Sequence, residues 1–167
     1  MGHTTSRLST AAIQQYAEKI ADFHGIFPGA DRPADLDQLL EKLGGRTRVS
    51  KNFDGTEALT VRDVGDFTVH LPPMTSTRRD RFTIAHELGH YFLHYREPGL
   101  TGPEKFWRGS RNPLETQANY FAAALLMPST RFREAHRRLA GDVWSLADAF
   151  DVSPRAVEVR VQSLGLS

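Results

Sequence analysis

The chain has 167 residues, of which 40% are hydrophobic and 25% charged, so one domain with a single hydrophobic core is the expected organisation. It contains no cysteine, which excludes disulfide bonds and cysteine-ligated zinc sites and is typical of a cytoplasmic protein. The formal net charge of +1 gives no overall attraction to nucleic acid, and no apolar run approaches the roughly 20 residues of a membrane span.

The N-terminal part of the chain predicts a short lead-in followed by two helices. Residues 1–8 have no apolar periodicity, and we expect them to be flexible. A helix that starts at Ser9 or Thr10 would place these apolar residues at helical spacing: Ile13, Tyr16, Ile20 and Phe23. A shorter helix would carry Leu36, Leu39, Leu40 and Leu43 and stop at Gly44 and Gly45.

Residues 46–71 have the composition of short β-strands. Two runs, 58–63 and 66–71, flank a turn at Asp63-Val64-Gly65, which predicts a small antiparallel sheet. The second run comes just before the next helix, and we predict that it is an edge strand, which can hold an extended peptide by main-chain hydrogen bonds. We therefore predict a substrate-binding role for Phe67, Thr68, Val69 and His70. An ordinary strand with no substrate role explains the pattern equally well.

The next helix carries the most informative motif of the chain, His86-Glu87-Leu88-Gly89-His90, which spells HExxH. We expect Thr77 to be the N-cap of this helix, with Asp80 three residues further on. Side chains four residues apart share a helix face, so His86 and His90 can bind one metal ion. Zinc held by three protein ligands keeps one position open, and Glu87 is then placed to take a proton from water. The alternative is a core helix with surface histidines.

A third ligand is offered by a later helix that Pro128 would end. Asn112 is its expected N-cap, Pro113 its first residue and Glu115 its third. Glu115 is either the third metal ligand or part of a capping box, and we favour the ligand. Asn119 lies one turn further on the same face, where it could hydrogen-bond a metal-bound histidine.

Other polar side chains lie close to the HExxH motif in sequence. His94 is a further turn along, but its angular offset from His86 is about 80 degrees, so we expect it to be an outer partner, not a ligand. Tyr91, Tyr95, Tyr120 and His94 are candidates for stabilising an oxyanion, and the sequence does not rank them. Residues 95–112 form a long Gly- and Pro-containing connection that could wall the cleft. Trp107 could anchor this connection or contact substrate, and we favour the anchor.

The closing segment, residues 142–164, has the pattern of a helix-turn-helix pair. A DNA-binding regulator is one interpretation, but Glu158 opposes Arg155 and Arg160 and leaves little positive charge for phosphate contacts. Two capped helices that close the core explain the same pattern, and we favour that interpretation. Direct nucleic-acid binding therefore has little support.

Residues 81–94 (RFTIAHELGHYFLH), together with ExxAN and FAAALLMP over 115–128, closely resemble the ImmA/IrrE family of metallopeptidases. The flanks at 9–44 and 146–166 resemble the family more weakly. The resemblance implies a zinc-dependent peptidase that cuts a helix-turn-helix repressor and so switches on stress-response or mobile-element genes. It places the metal ligands on His86, His90 and Glu115 and the general base on Glu87. Two positions depart from the family pattern: Gln117, where acidic residues are common, and Ala124, where glutamate is frequent.

Together these features predict an α+β, zincin-like domain over residues 9–167, in which a small antiparallel sheet packs on helices and the HExxH helix lies at the centre. We expect one Zn²⁺ per chain, with Mn²⁺ as the alternative, and a helix-turn-helix repressor as the protein partner. We expect no membrane association. A DNA-binding or repressor-sequestering protein with a structural metal is the second hypothesis. The oligomeric state, the repressor and the scissile bond are not readable from the sequence.

Overall fold

The computed structural model describes residues 2–51, 57–109 and 112–167. These residues form an α+β fold with seven α-helices and one four-stranded sheet. In chain order the elements are α1 (Thr10–His24), α2 (Leu36–Leu43), β1 (Gly45–Val49), β2 (Glu57–Asp63), β3 (Asp66–Leu71), α3 (Thr77–His90), β4 (Glu104–Trp107), α4 (Pro113–Leu126), α5 (Ser129–Arg138), α6 (Val143–Phe150) and α7 (Pro154–Ser163). A π-helical turn, Tyr91–Arg96, continues α3.

Side-chain caps explain where most helices begin. A side-chain oxygen accepts a hydrogen bond from a first-turn N–H at Ser9, Asp35, Asn112, Asp142 and Ser153. Each such cap stabilises a helix by about 1 kcal/mol. The cap of α3 is Ser76, one residue before the predicted Thr77, and it accepts from the N–H of Arg79. Asp80 bonds the hydroxyl of Thr75 and so braces the entry to α3.

The sheet is mixed, so the prediction of an antiparallel sheet is wrong. Its strand order is β1-β3-β2-β4, and β1 pairs with β3 in parallel, whereas the other pairs are antiparallel. The glycines that end α2 place β1 beside the start of β3. A Cβ on Gly44 would lie 1.8 Å from the Gly65 carbonyl oxygen, and one on Gly45 would lie 2.4 Å from the Phe67 ring. Only glycine permits this approach.

The prediction that 66–71 is an edge strand is also wrong. β3 lies in the interior of the sheet, where β1 and β2 take the main-chain groups on both of its sides. The substrate role predicted for Phe67, Thr68, Val69 and His70 therefore loses its basis. The edges of the described sheet are β1 and β4. Strand β4 lies inside the predicted connection 95–112, of which residues 110–111 are outside the described residues.

Helices α3 and α4 cross at very short range. A Cβ on Gly89 would lie 3.0 Å from Ala118 Cα and 3.2 Å from Phe121 Cβ, so the backbones meet at Gly89. Helix α1 packs on α4, and Tyr16 makes edge contacts with the rings of Phe92 and Phe121 at 5.9 and 6.1 Å. This crossing brings the side chains of α3 and α4 that face the sheet close to each other.

Helices α6 and α7 close the molecule as a capped helix pair. The turn between them passes through Asp151, which has a left-handed backbone with φ of 53°. Both helices contribute to the same hydrophobic cluster as α1 to α5, through Leu146, Ala147, Phe150 and Val157. Across the described residues, no helix has the length and apolar character that a bilayer crossing requires.

Candidate metal centre

Two histidines from α3 and one glutamate from α4 converge at one point. His86 and His90 lie one turn apart on α3, and their ring centroids are 4.9 Å apart. The Glu115 carboxylate oxygens lie 2.7 Å from His86 Nε2 and 3.1 Å from His90 Nε2. One donor atom from each of the three residues lies within 4.8 Å of the other two. The structure therefore brings together the three residues that the sequence offers as metal ligands.

Glu115 takes part in the helix cap through its backbone and in the site through its side chain. Its N–H donates to Asn112 Oδ1 at 3.1 Å, while its carboxylate faces the two imidazoles. Burial raises the pKa of Glu115, but hydrogen bonds with His86 and His90 outweigh burial and lower this pKa to about 2. The carboxylate is therefore ionised at any physiological pH and is available as a ligand.

The outer nitrogen of each histidine has its own partner. His86 Nδ1 lies 2.7 Å from Asn119 Oδ1, and His90 Nδ1 lies 2.8 Å from His94 Nδ1. An amide oxygen only accepts, so His86 Nδ1 donates to Asn119, and His86 Nε2 is the nitrogen that faces Glu115. Between a ring nitrogen and a carboxylate at this distance there must be either a proton, as in the hydrogen bonds above, or a cation. Two imidazoles and a carboxylate in this arrangement fit a divalent ion such as zinc.

Glu87 lies beside this cluster and is almost fully buried. Glu87 is 4% exposed, and its Oε1 has no hydrogen-bond partner among the described residues. Burial raises the pKa of Glu87, while the neighbouring His86 and His90 lower it. A buried carboxylate oxygen without a partner is costly, so its presence indicates a group that interacts with a ligand.

Comparison with known protein families gives a match over most of the chain. The sequence model of the Peptidase_M78 family, described as the IrrE N-terminal-like domain, matches residues 38–162. The chain belongs to the Peptidase_M78 family. The family resemblance inferred from the motifs at 81–94 and 115–128 is thereby confirmed. A search of curated proteins finds no match.

Among solved structures, the Peptidase_M78 chain is similar to a Mycobacterium tuberculosis transcriptional regulator. The TM-score is 0.61 at 18% sequence identity, and the match covers 90% of this chain and 46% of that one. The chain therefore spans about half the length of that regulator. At this identity the likeness concerns the fold alone.

The three tyrosines that the sequence offers as oxyanion candidates lie in different environments in the Peptidase_M78 chain. Tyr91 is buried, stacks on Phe67 and accepts a hydrogen bond from the N–H of Gly65, which anchors the β2–β3 turn. Tyr95 donates to the Gly102 carbonyl oxygen at 2.7 Å and so holds the connection that follows. These contacts give both tyrosines a packing role. Tyr120 is partly exposed on α4, next to Asn119.

Strand β4 and the residue after it, Arg108, lie near the metal centre. The sequence placed both in a connection that could wall the cleft, but it predicted neither the strand nor a role for Arg108. The Phe106 ring stacks on His90 with a centroid distance of 5.5 Å. Arg108 donates to the carbonyl oxygens of Glu57 and His70, its Nε has no partner within the described chain, and its charge lowers the pKa of Glu87. Both residues lie in a segment of irregular composition, where no periodicity could reveal them.

An apolar recess adjoins Asn119 on the other side of the centre. It has a volume of about 360 Å³ and lies between α3, α4 and α7. Its apolar walls are formed by Phe82, Tyr120, Ala123, Met127, Ala156 and Val159. Because Asn119 contacts both the recess and His86, a group bound in the recess would lie next to the metal ligands.

Proposed function

We propose that the protein is a zinc-dependent endopeptidase that cleaves a partner helix-turn-helix repressor and so relieves repression of stress-response or mobile-element genes. The observation that carries the proposal is the convergence of His86, His90 and Glu115 beside a buried, unpartnered Glu87 oxygen. Membership of the Peptidase_M78 family supports a metallopeptidase and a protein substrate. The repressor as substrate comes from the family resemblance.

In this proposal His86, His90 and Glu115 hold the ion, with Mn²⁺ as the alternative to Zn²⁺. When bound, the ion supplies Lewis acidity toward a peptide carbonyl and toward water. Glu87 acts as general base, because burial moves its pKa upward, toward the range in which a carboxylate accepts a proton efficiently. Asn119 and His94 hold the two imidazoles by their outer nitrogens, which keeps the metal-binding lone pairs directed at the same point.

The substrate is proposed to bind along β4 and in the apolar recess. Within the described sheet, β4 pairs with β2 alone, and its Phe106 contacts His90, so an extended peptide that paired with the other side of β4 would pass close to the centre. An apolar substrate side chain would fill the recess beside Asn119. Arg108 and Tyr120 are the candidates for stabilising the oxyanion.

The fold supports a zincin-like arrangement, with the HExxH helix α3 at the centre. Helix α3 contacts α4, α2 and β3, and it supplies Glu87 and both histidines. A repressor bound to DNA is a cytoplasmic substrate, so we propose that the enzyme acts in the cytoplasm.

A regulator that binds DNA or sequesters a repressor is the second candidate, and the α6–α7 helix pair is the observation that favours it. Its second helix is poorly suited to phosphate contacts. Arg160 is buried and donates through Nε to the Met127 carbonyl oxygen at 2.9 Å. Arg155 lies 3.4 Å from Glu158. Arg160 is therefore unavailable to phosphates, and Glu158 offsets the charge of the exposed Arg155, which favours the peptidase.

The test is incubation of the purified, zinc-loaded protein with the repressor encoded by the adjacent gene, in the presence and absence of chelator. The peptidase proposal requires metal-dependent cleavage that Glu87→Gln abolishes while the metal content stays at one ion per chain. Stable complex formation without cleavage would support sequestration. Chelator-resistant binding of duplex DNA with a steep salt dependence would support the DNA-binding alternative.

A further inference from the structure

The N-terminal strap, residues 2–8, docks on the helix that carries Glu115. The N–H of Ser6 donates to Gln117 Oε1 at 2.9 Å, and Gln117 Nε2 donates to the Ser6 carbonyl oxygen at 2.9 Å. This pair of bonds fits only one orientation of the carboxamide, because the Ser6 N–H needs the oxygen and the Ser6 carbonyl needs the NH₂ group. The strap therefore fixes which end of Gln117 faces the metal centre.

The oriented Gln117 determines where the protons lie on the next two imidazoles. Gln117 Oε1 lies 2.9 Å from His94 Nε2, so His94 Nε2 carries the proton and His94 Nδ1 is an acceptor. His94 Nδ1 lies 2.8 Å from His90 Nδ1, so His90 Nδ1 is the donor. With Nδ1 as the donor to His94, Nε2 is the His90 nitrogen left for an ion, and it faces Glu115 at 3.1 Å.

We propose that the Ser6 main chain, through Gln117 and His94, holds His90 in the tautomer that binds metal. With the carboxamide reversed, its NH₂ group would face His94, which would then accept at Nε2 and donate from Nδ1. His90 Nδ1 would become the acceptor, and its proton would move to Nε2, where it blocks the metal. Ser6, Gln117 and His94 are thus positioning residues that act through His90.

Further contacts keep the strap in place and link it to the edge strand. Ser6 Oγ donates to Glu97 at 2.6 Å. His3 Nε2 lies 3.2 Å from a Glu104 carboxylate oxygen, and the His3 ring stacks on Phe106 at a centroid distance of 3.9 Å. Phe106 in turn stacks on His90, so the strap supports His90 from β4 as well as from α4.

The inference rests on the metal-site part of the proposed function and is tested first in the metal-free, full-length protein. Ser6→Pro removes the N–H that orients Gln117, whereas the control Ser6→Ala removes only the hydroxyl contacts. Long-range ¹H–¹⁵N spectra report whether His90 Nδ1 carries a proton. We expect this proton in the unchanged protein and in Ser6→Ala, and we expect part of the Ser6→Pro population to lack it.

Zinc affinity, measured by competition with a chromophoric chelator, gives the second readout. Loss of an outer partner of a metal-bound histidine lowers affinity by about 10-fold to 100-fold, and we expect Ser6→Pro to fall in this range while Ser6→Ala stays unchanged. Gln117→Met leaves the sequence of the strap unchanged but removes the acceptor for His94 together with both bonds to Ser6, so we expect the same loss. It keeps the test valid if Ser6→Pro does not fold.

Gln117→Glu distinguishes the hydrogen-bond chain from Gln117 through His94 to His90 from a general loss of strap docking. A carboxylate accepts from His94 in either orientation, so His90 keeps its tautomer, but the carboxylate repels the Ser6 carbonyl and frees the strap. We expect unreduced zinc affinity, faster amide exchange at Ser6, and no further effect of Ser6→Pro in this background.

The proposal would be overturned if Ser6→Pro changed neither the proton on His90 Nδ1 nor the zinc affinity. It would also be overturned if Ser6→Pro lowered the zinc affinity equally in the unchanged protein and in Gln117→Glu. Absence of peptide cleavage, with the tautomer results as expected, would refute the proposed peptidase and leave this inference standing.

Discussion

Replacement of Gly89 by alanine tests how closely the two metal-binding helices must approach. The new Cβ would lie 3.0 Å from Ala118 Cα and 3.1 Å from the Ala118 carbonyl oxygen, where carbon contacts need about 3.5 Å or more. The helices must therefore separate by roughly 0.5 Å at this crossing. Overpacking of this kind costs about 1–3 kcal/mol, and the better helix propensity of alanine returns about 1 kcal/mol.

We expect Gly89→Ala to lower the free energy of unfolding by about 1 kcal/mol, which lowers Tm by about 2–4 °C for a domain of this size. The metal site should suffer more. His90 follows Gly89 directly, Glu115 lies across the gap, and metal–ligand distances tolerate only about 0.2 Å. We expect zinc affinity to fall at least about 10-fold, as when a ligand's support is lost.

The assay combines thermal unfolding of the metal-free protein with zinc competition. Gly29→Ala is the matched control, because its new Cβ would meet only Arg32 Cγ at an ordinary 3.8 Å. The control should keep its zinc affinity and unfold at the unchanged temperature or slightly above it. A Gly89→Ala protein that binds zinc normally and unfolds at a higher temperature would refute the reasoning about helix approach.

Three further predictions concern the site. Glu87→Gln should retain one metal ion per chain and lose peptide cleavage, checked by metal analysis and cleavage of the repressor; a fully active variant would exclude Glu87 as the base. Ala156→Trp should fill the recess and lower kcat/KM for cleavage next to large apolar side chains, whereas Glu158→Trp on the exposed face of α7 should not. Since the pKa of Glu115 is lowered to about 2, its contribution to the stability of the metal-free protein is complete above its usual pKa and is lost as the pH falls toward about 2. Acid unfolding curves of Glu115→Gln should lack this loss of stability between the usual pKa of a glutamate and a pH of about 2.

The sequence predicted the parts of the site that depend on a single helix. His86, Glu87 and His90 follow from helical periodicity, and the start of α4 at Asn112 follows from its cap and from Pro113. The convergence of the two helices depends on tertiary packing at Gly89, which no spacing rule reports. For that reason the sequence left two roles open for Glu115, a metal ligand or part of a capping box.

The errors concern the sheet, where pairing partners are distant in sequence. Alternation in 58–71 correctly predicts the hairpin of β2 and β3, but it does not say that β1 joins in parallel and places β3 in the interior. The four-residue β4 lies among glycines and prolines and shows no periodic pattern, so it was predicted as part of a connection. Arg108 was missed with it.

His94 lies in the π-helical turn Tyr91–Arg96 and is an outer partner of His90. On a straight α-helix, His94 would be rotated by about 80 degrees from His86. In the structure the His94 ring lies at a centroid distance of 5.0 Å from His90, with their Nδ1 atoms 2.8 Å apart and the far nitrogen 2.9 Å from Gln117. Isolated π turns occur frequently at functional sites, where they redirect one side chain without ending the helix. Here His94 connects His90 to Gln117 of α4, so the two helices that carry His86, His90 and Glu115 also hold, in our proposal, the proton on His90 Nδ1.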